Sequence, residues 1–287
     1  MPDRYPSPTP GAQLVRDGPP AAGAAASFSG DVPLPADDPA LFDLDLGGLR
    51  RRWAPAAALS AIGAETMTGA DLRAQAMGVP GERLMEHAGT AVAAAVHALV
   101  LATDRAALGP VLVLAGPGNN GGDGLVAARR LARHGQRVVA ALVASESRPG
   151  TPDAARNWDR LAAEPGVERI HVRTAHDVVL LGGSIERAAA VVDALLGTGV
   201  RGTLRDPIRS AVELVGRARA AGVPVAAVDT PTSVDLTSGD PSEPVVRADL
   251  TITFHRPKTG LSTRRGRALA GRVLVAPIGI PQEADRA

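Results

Sequence analysis

The sequence contains no cysteine, which excludes disulfides, thiolate metal sites and cysteine nucleophiles together. That composition suits a reducing cytoplasm. Aromatics are only 2% of the chain, and four of the six (Tyr5, Phe28, Phe42, Trp53) precede residue 56. The core must therefore be built of Ala, Val and Leu, and a ligand base cannot rely on aromatic stacking. Excess charge of either sign is also lacking: 31 Lys and Arg face 30 Asp and Glu, for a net charge of +1. No global field recruits nucleic acid or an anionic membrane. Nor does any uninterrupted apolar run reach the ~18–20 residues that span a bilayer, the longest candidate (91–102) being broken by His97.

What is present divides in two. Residues 1–55 hold ten of the 24 prolines, an Ala/Gly stretch at 21–26 and seven aspartates (Asp3, Asp17, Asp31, Asp37, Asp38, Asp43 and Asp45). Proline at that density breaks helices and ladders, and little bulky apolar surface offsets the ordering entropy. The expectation is a disordered or linker-like extension, too acidic for a transit peptide and without the basic start and apolar stretch of a secretory signal. Within it, 41–53 is a candidate short docking element. The second part, residues 56–287, is expected to be a single domain.

From about residue 60 helix and strand signals alternate. A short helix starts at Thr68–Asp71 and ends near Gly78. A second, beginning at Pro80, aligns Leu84, Met85, Ala88, Ala91, Val92, Val96 and Leu99 on one face. Strands are expected at 111–115, 137–143, 169–172, 188–195, 224–228, 250–254 and 273–276, with helices at 125–134, 152–163 and 207–221. Continuous apolar strands separated by helices predict an α/β fold with a parallel sheet covered on both faces.

The richest segment follows the first strand: Gly116-Pro-Gly118-Asn-Asn-Gly121-Gly-Asp123-Gly124. Strand, glycine-rich turn and helix start together make an anion-binding device, because backbone N–H groups approach a phosphate and the helix dipole favours negative charge. Gly116-x-Gly118-x-x-Gly121 matches the dinucleotide pattern, which alone is a weak signal. Asn119, Asn120 and Asp123 are unusual beside a phosphate, and three oxygen-bearing side chains on one tight loop suit a hard cation. The alternative is that they support turn geometry and cap the helix.

Ligands of open parallel sheets bind outside the carboxyl ends of the strands. There the fourth strand delivers Asp193, followed by Gly197-Thr-Gly199-Val-Arg201-Gly202. The fifth delivers Asp229 with Thr230-Pro-Thr232-Ser233, and the sixth delivers His255 and Lys258. Each Asp has a bland reading as the cap of the next helix. His255 reads as a surface or core histidine, Lys258 equally as a phosphate contact or a solvated lysine, and Glu86 as an exposed or capping carboxylate.

Leu84-Met-Glu-His-Ala-Gly89, the 116–124 segment and Val192-Asp-Ala-Leu-Leu-Gly-Thr-Gly199 together resemble the NAD(P)H-hydrate epimerase family, the YjeF N-terminal domain. Asp229 with Pro231, and Thr253-Phe254 through Lys258-Thr-Gly-Leu261, fall where that family has similar segments, so the resemblance covers about residues 60–280. It implies a Rossmann-like three-layer α/β/α sandwich, usually dimeric, that interconverts the R and S forms of hydrated NADH or NADPH. It also implies a bound potassium ion. Carried over by position, Asn119, Asn120, Gly121, Gly122 and Asp123, then Gly197, Thr198, Gly199, Val200, Arg201, Gly202 and Thr203, with Asp229, would hold the hydrated dinucleotide. Asn120, Asp193 and Thr232 would supply oxygens to potassium. Many bacterial relatives continue into a kinase-like dehydratase domain; none is expected within these 287 residues, which leaves room for a separate dehydratase.

The substrate is a hemiaminal, and inverting its hydroxyl-bearing carbon needs a proton donor and an acceptor. Asp193 is the expected group, with water or Asp123 taking one step if Asp193 instead binds the cation. One departure stands out: Thr232-Ser233 replaces the family's usual Ser-Gly, which puts potassium affinity in doubt. Two other classes of function compete. An NAD(P)-dependent oxidoreductase would use Glu146, after the second strand, on the ribose, yet no proton relay for hydride chemistry is evident. A non-catalytic binding module would exploit the long N-terminal arm.

Overall fold

A computed structural model describes residues 32–197 and 203–285. Seven strands form one all-parallel sheet in the order β3-β2-β1-β4-β5-β6-β7: β1 (Val111–Ala115), β2 (Val138–Val143), β3 (Val167–Val172), β4 (Ala190–Ala194), β5 (Val225–Val228), β6 (Leu250–Phe254) and β7 (Arg272–Ala276). Every expected strand exists, with ends shifted by a residue or two. The order reverses between β1 and β4, whose registers pair Leu114 with Asp193. That reversal opens the crevice in which doubly wound sheets bind ligands.

Strand side chains alternate between two cores. Val111, Val113 and Ala115 of β1, with Val192 and Val228, pack on one face under α4 (Gly81–Ala102) and α5 (Asn119–Arg133). Leu112 and Leu114, with Val191 and Ala227, pack on the other against α8 (Ile208–Ala220). Both faces being covered is why these strands read as unbroken apolar runs. α4 is long and apolar enough to cross a membrane, but 83% of its apolar window is buried inside the domain. Its alanines, Ala91 and Ala93–Ala95, are fully buried, so the helix lies close on its neighbours.

α3 (Ala64–Ala76) and α6 (Pro152–Arg160) complete the α4 side. Three further helices follow the chain: α7 (Ala175–Leu181), α9 (Thr259–Ser262) and α10 (Arg264–Ala270). The sequence reading did not anticipate α7, whose start is fixed by a reciprocal Thr174–Asp177 capping box.

Residues 32–57 correct the expectation of a disordered extension. They form two 3₁₀ turns (Pro35–Asp37, Leu41–Asp43) and two helices, α1 (Leu46–Arg52) and α2 (Ala54–Ala57). Leu41, Leu49 and Trp53 are buried in the main core, against α4 and β7. The prolines do not oppose this, because Pro35 and Pro55 stand at helix starts, where no amide donor is needed. Asp45 caps α1 by accepting from Gly48 N at 2.6 Å. The remainder of the expected extension, 1–31, lies outside the described residues.

Candidate active site at the carboxyl edge of the sheet

α5 begins at Asn119, several residues before the helix expected at 125, so Asn119–Asp123 form its first turn. Glycine makes this possible by close approach. A Cβ at Gly116 would collide with the Leu195 carbonyl and one at Gly121 with the Gly116 carbonyl, while Gly118 faces open space. No side chain caps the helix at Gly118. The leading N–H groups of a four-turn helix therefore stand uncapped at the switch point, the arrangement that receives an anion.

Asp193 is fully buried. Its carboxylate accepts from Thr232 N at 2.7 Å, Thr232 Oγ1 at 2.7 Å and Leu195 N at 3.2 Å. Burial pushes its carboxyl up to about 6, against these three bonds, which favour the charged form. Thr232 Oγ1 also accepts from Leu196 N at 3.2 Å. Nearby, Asn120 lies within 3.4 Å of where a Gly197 Cβ would stand, and its Nδ2 is buried without a partner. The Asp193 carboxylate and the Thr232 hydroxyl form one hydrogen-bonded unit, and the Asn120 side chain stands beside Gly197 on the loop that follows Asp193. One carboxylate with neutral oxygens is a donor set that could hold a hard monovalent cation. Among the described residues no cluster of three or more His, Cys, Asp or Glu has metal-binding geometry.

Asp229 closes β5 with φ +60°, and Thr230 N donates to Val228 O at 2.7 Å, a γ-turn that a non-glycine residue enters only under strain. His255, after β6, repeats the geometry with φ +67° and Arg256 N donating to Phe254 O. Its Nε2 lies 2.6 Å from Asp285 Oδ1, so it is a buried histidine tied to the C-terminal turn. Ser233 also carries a left-handed φ of +72°. Its Oγ is buried without a partner.

Lys258 departs from both of its sequence readings. It is neither solvated nor exposed toward a phosphate, but 1% exposed and 3.3 Å from Asp229 Oδ1. Burial lowers its pKa and Asp229 opposes that. Asp123 lies in the first turn of α5, which packs over β1, β4 and β5. Burial, then the carboxylates of Asp229 and Asp71, push its carboxyl well above the ordinary value. Asp71, on α3, is itself raised by burial and by Asp153, against a hydrogen bond from Gln75. Sequence reading missed Asp71 and Thr253; the one available signal was a pair of threonines in the otherwise apolar β6.

Glu86 is no idle surface carboxylate. It bridges Arg129 at 2.5 Å and Arg130, and these guanidiniums outweigh the effect of burial and hold its carboxyl below the usual range. Of the other expected site residues, Asn119 and Thr203 are exposed, and Gly121 and Gly122 are buried. Thr198, Gly199, Val200, Arg201 and Gly202 lie outside the described residues.

Comparison with known proteins gives the family and supports the fold. The family profile of the YjeF-related protein N-terminus matches residues 81–260. A bifunctional NAD(P)H-hydrate repair enzyme of Methanothermobacter thermautotrophicus is 40% identical over 223 residues, 76% of this chain but 40% of that protein. An NAD(P)H-hydrate epimerase of Cenarchaeum symbiosum is 34% identical over 228 residues, 78% of this chain and 98% of that protein. Among solved structures, yeast ynu0 (YNL200c) is similar with a TM-score of 0.60 and 25% identity, covering 71% of this chain and 84% of its own. The chain therefore spans about the length of the single-function relative and two fifths of the bifunctional one, and it belongs to the family of YjeF-related protein N-termini.

Proposed function

We propose that this protein is an NAD(P)H-hydrate epimerase, an isomerase that interconverts the R and S forms of hydrated NADH and NADPH. The observation that carries the reading is the carboxyl edge itself. An uncapped helix N-terminus for a pyrophosphate stands beside a carboxyl group whose pKa is raised well above the ordinary value. The membership of the family and the named epimerase relative support it.

In this reading Asn119–Asp123, with Gly197 to Thr203 and Asp229, hold the dinucleotide. Asn120, Asp193 and Thr232 would supply oxygens to a potassium ion, which would contribute a fixed positive charge to the site. Asp193, with both oxygens bonded inside the chain, organises that corner of the site. The catalytic candidate of the sequence, Asp193, also has a raised carboxyl pKa, but its oxygens are engaged by Thr232 and Leu195, so the proton-donating step is assigned to Asp123, whose carboxyl burial and like charges keep protonated. Asp123 gives its proton to the departing hydroxyl; the C–O bond breaks, water leaves and the ring nitrogen lone pair forms a C=N bond. Water then adds to the opposite face of that carbon, the π electrons return to nitrogen, and the added water gives a proton to an acceptor. A homodimer in the cytoplasm, working beside a separate dehydratase, completes the proposal.

The test is conversion of purified (R)-NADHX to the S form, followed by chromatography or NMR, with and without potassium. Potassium-stimulated turnover above the spontaneous rate is expected. A folded protein with no turnover would overturn the proposal and leave a non-catalytic binding module.

A further inference from the structure

The proton acceptor is the unassigned half of that reaction, and the buried lysine is the group without a role. Lys258 Nζ donates to Thr253 Oγ1 at 2.9 Å, Phe254 O at 2.7 Å and Arg256 O at 3.2 Å, and lies 3.3 Å from Asp229 Oδ1. The Thr253 hydroxyl in turn donates to the same Oδ1 at 2.8 Å. Taking an ammonium out of water costs several kcal/mol, and three of its acceptors are uncharged. Such a lysine is an expensive way to fill a core, so its charge must matter to the carboxylate it faces.

The pair is also lopsided. The Lys258 side chain is 0% exposed and that of Asp229 13%, so only the carboxylate can be reached from the site. Oδ1 is held from behind by Thr253 and Lys258. Oδ2 has no hydrogen bond among the described residues, and the γ-turn projects this side chain off the end of β5. We infer that Lys258 is a positioning residue for the epimerisation: with Thr253 it fixes Oδ1 of Asp229 and leaves Oδ2 as the proton acceptor.

This rests on the epimerase reading and completes its proton balance. Asp123 loses one proton to the departing hydroxyl, Asp229 Oδ2 gains one from the added water, and exchange between the two carboxyl groups or with solvent resets the site. The charged neighbours of the two groups differ, an ammonium beside Asp229 and carboxylates beside Asp123. The charged groups facing them are Lys258 ahead of α9, Asp71 on α3 and, behind Asp71, Asp153 on α6. His255 and Arg256 flank the lysine.

Full-length wild type, Lys258→Met and Thr253→Val are compared in (R)-NADHX epimerisation for kcat and KM. Lys258→Met is expected to lower kcat by about tenfold to a hundredfold while KM changes less than about threefold. Thr253→Val, which removes one hydroxyl at constant shape, should lower kcat less, again with KM little changed, and it carries the test if Lys258→Met does not fold. Wild-type kcat in folded Thr253→Val and in any folded Lys258→Met, or a loss expressed wholly in KM, overturns the inference while the epimerase stands. Inactive wild type removes both.

Discussion

Among the described residues, two clusters of charge are balanced differently. Around Glu86, a cavity of about 810 Å³ is lined by Arg83, Arg129, Arg130, Arg133 and Arg160. So many guanidiniums suggest an anion site, yet each has a carboxylate: Arg83 Asp37, Arg129 and Arg130 Glu86, Arg133 Glu164, and Arg160 Glu82. At the carboxyl edge, Asp71, Asp123 and Asp229 crowd together with Lys258 as the one close cation described. The compensated cluster joins α4 to α5 and α6 and has nothing left over for a ligand. The uncompensated one leaves a proton, a free oxygen and an uncapped helix end. Unbalanced charge, rather than cavity size, is the usual mark of a functional site, and it favours the carboxyl edge.

The difference is open to attack by mutation. Asp123→Asn should have the largest effect, lowering kcat for (R)-NADHX about 10²–10⁴-fold, measured by chromatography of the epimers. Its stability should not fall, since burial and like charges already disfavour the carboxylate. A carboxyl whose folded pKa is raised stabilises below its ordinary 3.8 and loses that contribution as pH rises through the raised value. Thermal melts should therefore show Asp123→Asn gaining on wild type as pH increases.

Glu86→Gln should do the opposite. It strands the buried Arg129 without its partner and should cost about 2–4 kcal/mol in urea denaturation, with kcat of the folded enzyme unchanged. Because the folded pKa of Glu86 is lowered, its contribution is present above 4.5 and disappears as pH falls through the depressed value. The gap between variant and wild type should close in acid. An equal loss of kcat would place the arginine cluster in the active site and end the comparison.

Ser233→Gly should have the smallest effect, a gain of about 1 kcal/mol from relieving a left-handed residue. Its value lies in location. Apart from Asp104, the described non-glycine residues with positive φ are Asp229, Ser233 and His255, all in segments that follow β5 or β6. The arginine cluster contains none. A stabilised variant with weaker potassium stimulation would show that strain at this edge serves function.

Much of this was legible in the amino-acid sequence. Parallel strands buried on both faces must be apolar throughout, so 111–115 and 250–254 were readable to the residue. The glycine pattern at 116–124 located the tight turn into α5, because only glycine permits those close approaches. The start of α5 was less accessible, since Asn-Asn-Gly-Gly-Asp-Gly has poor helix propensity and tertiary packing overrides it. Residues 32–57 were misread for a related reason. Proline density argues for disorder only until the prolines are seen at helix starts and the few large apolar residues on one buried face.

The sequence by itself determined the class of fold and the family. Those follow from local periodicity and from glycines whose role depends on near neighbours in the chain. Only the tertiary structure decided that Lys258 is buried against Asp229, that Glu86 is spent on two arginines, and that Asp123 faces Asp71 and Asp229. A charge takes its meaning from its partners and its distance from water, and here both come from segments far apart in the chain.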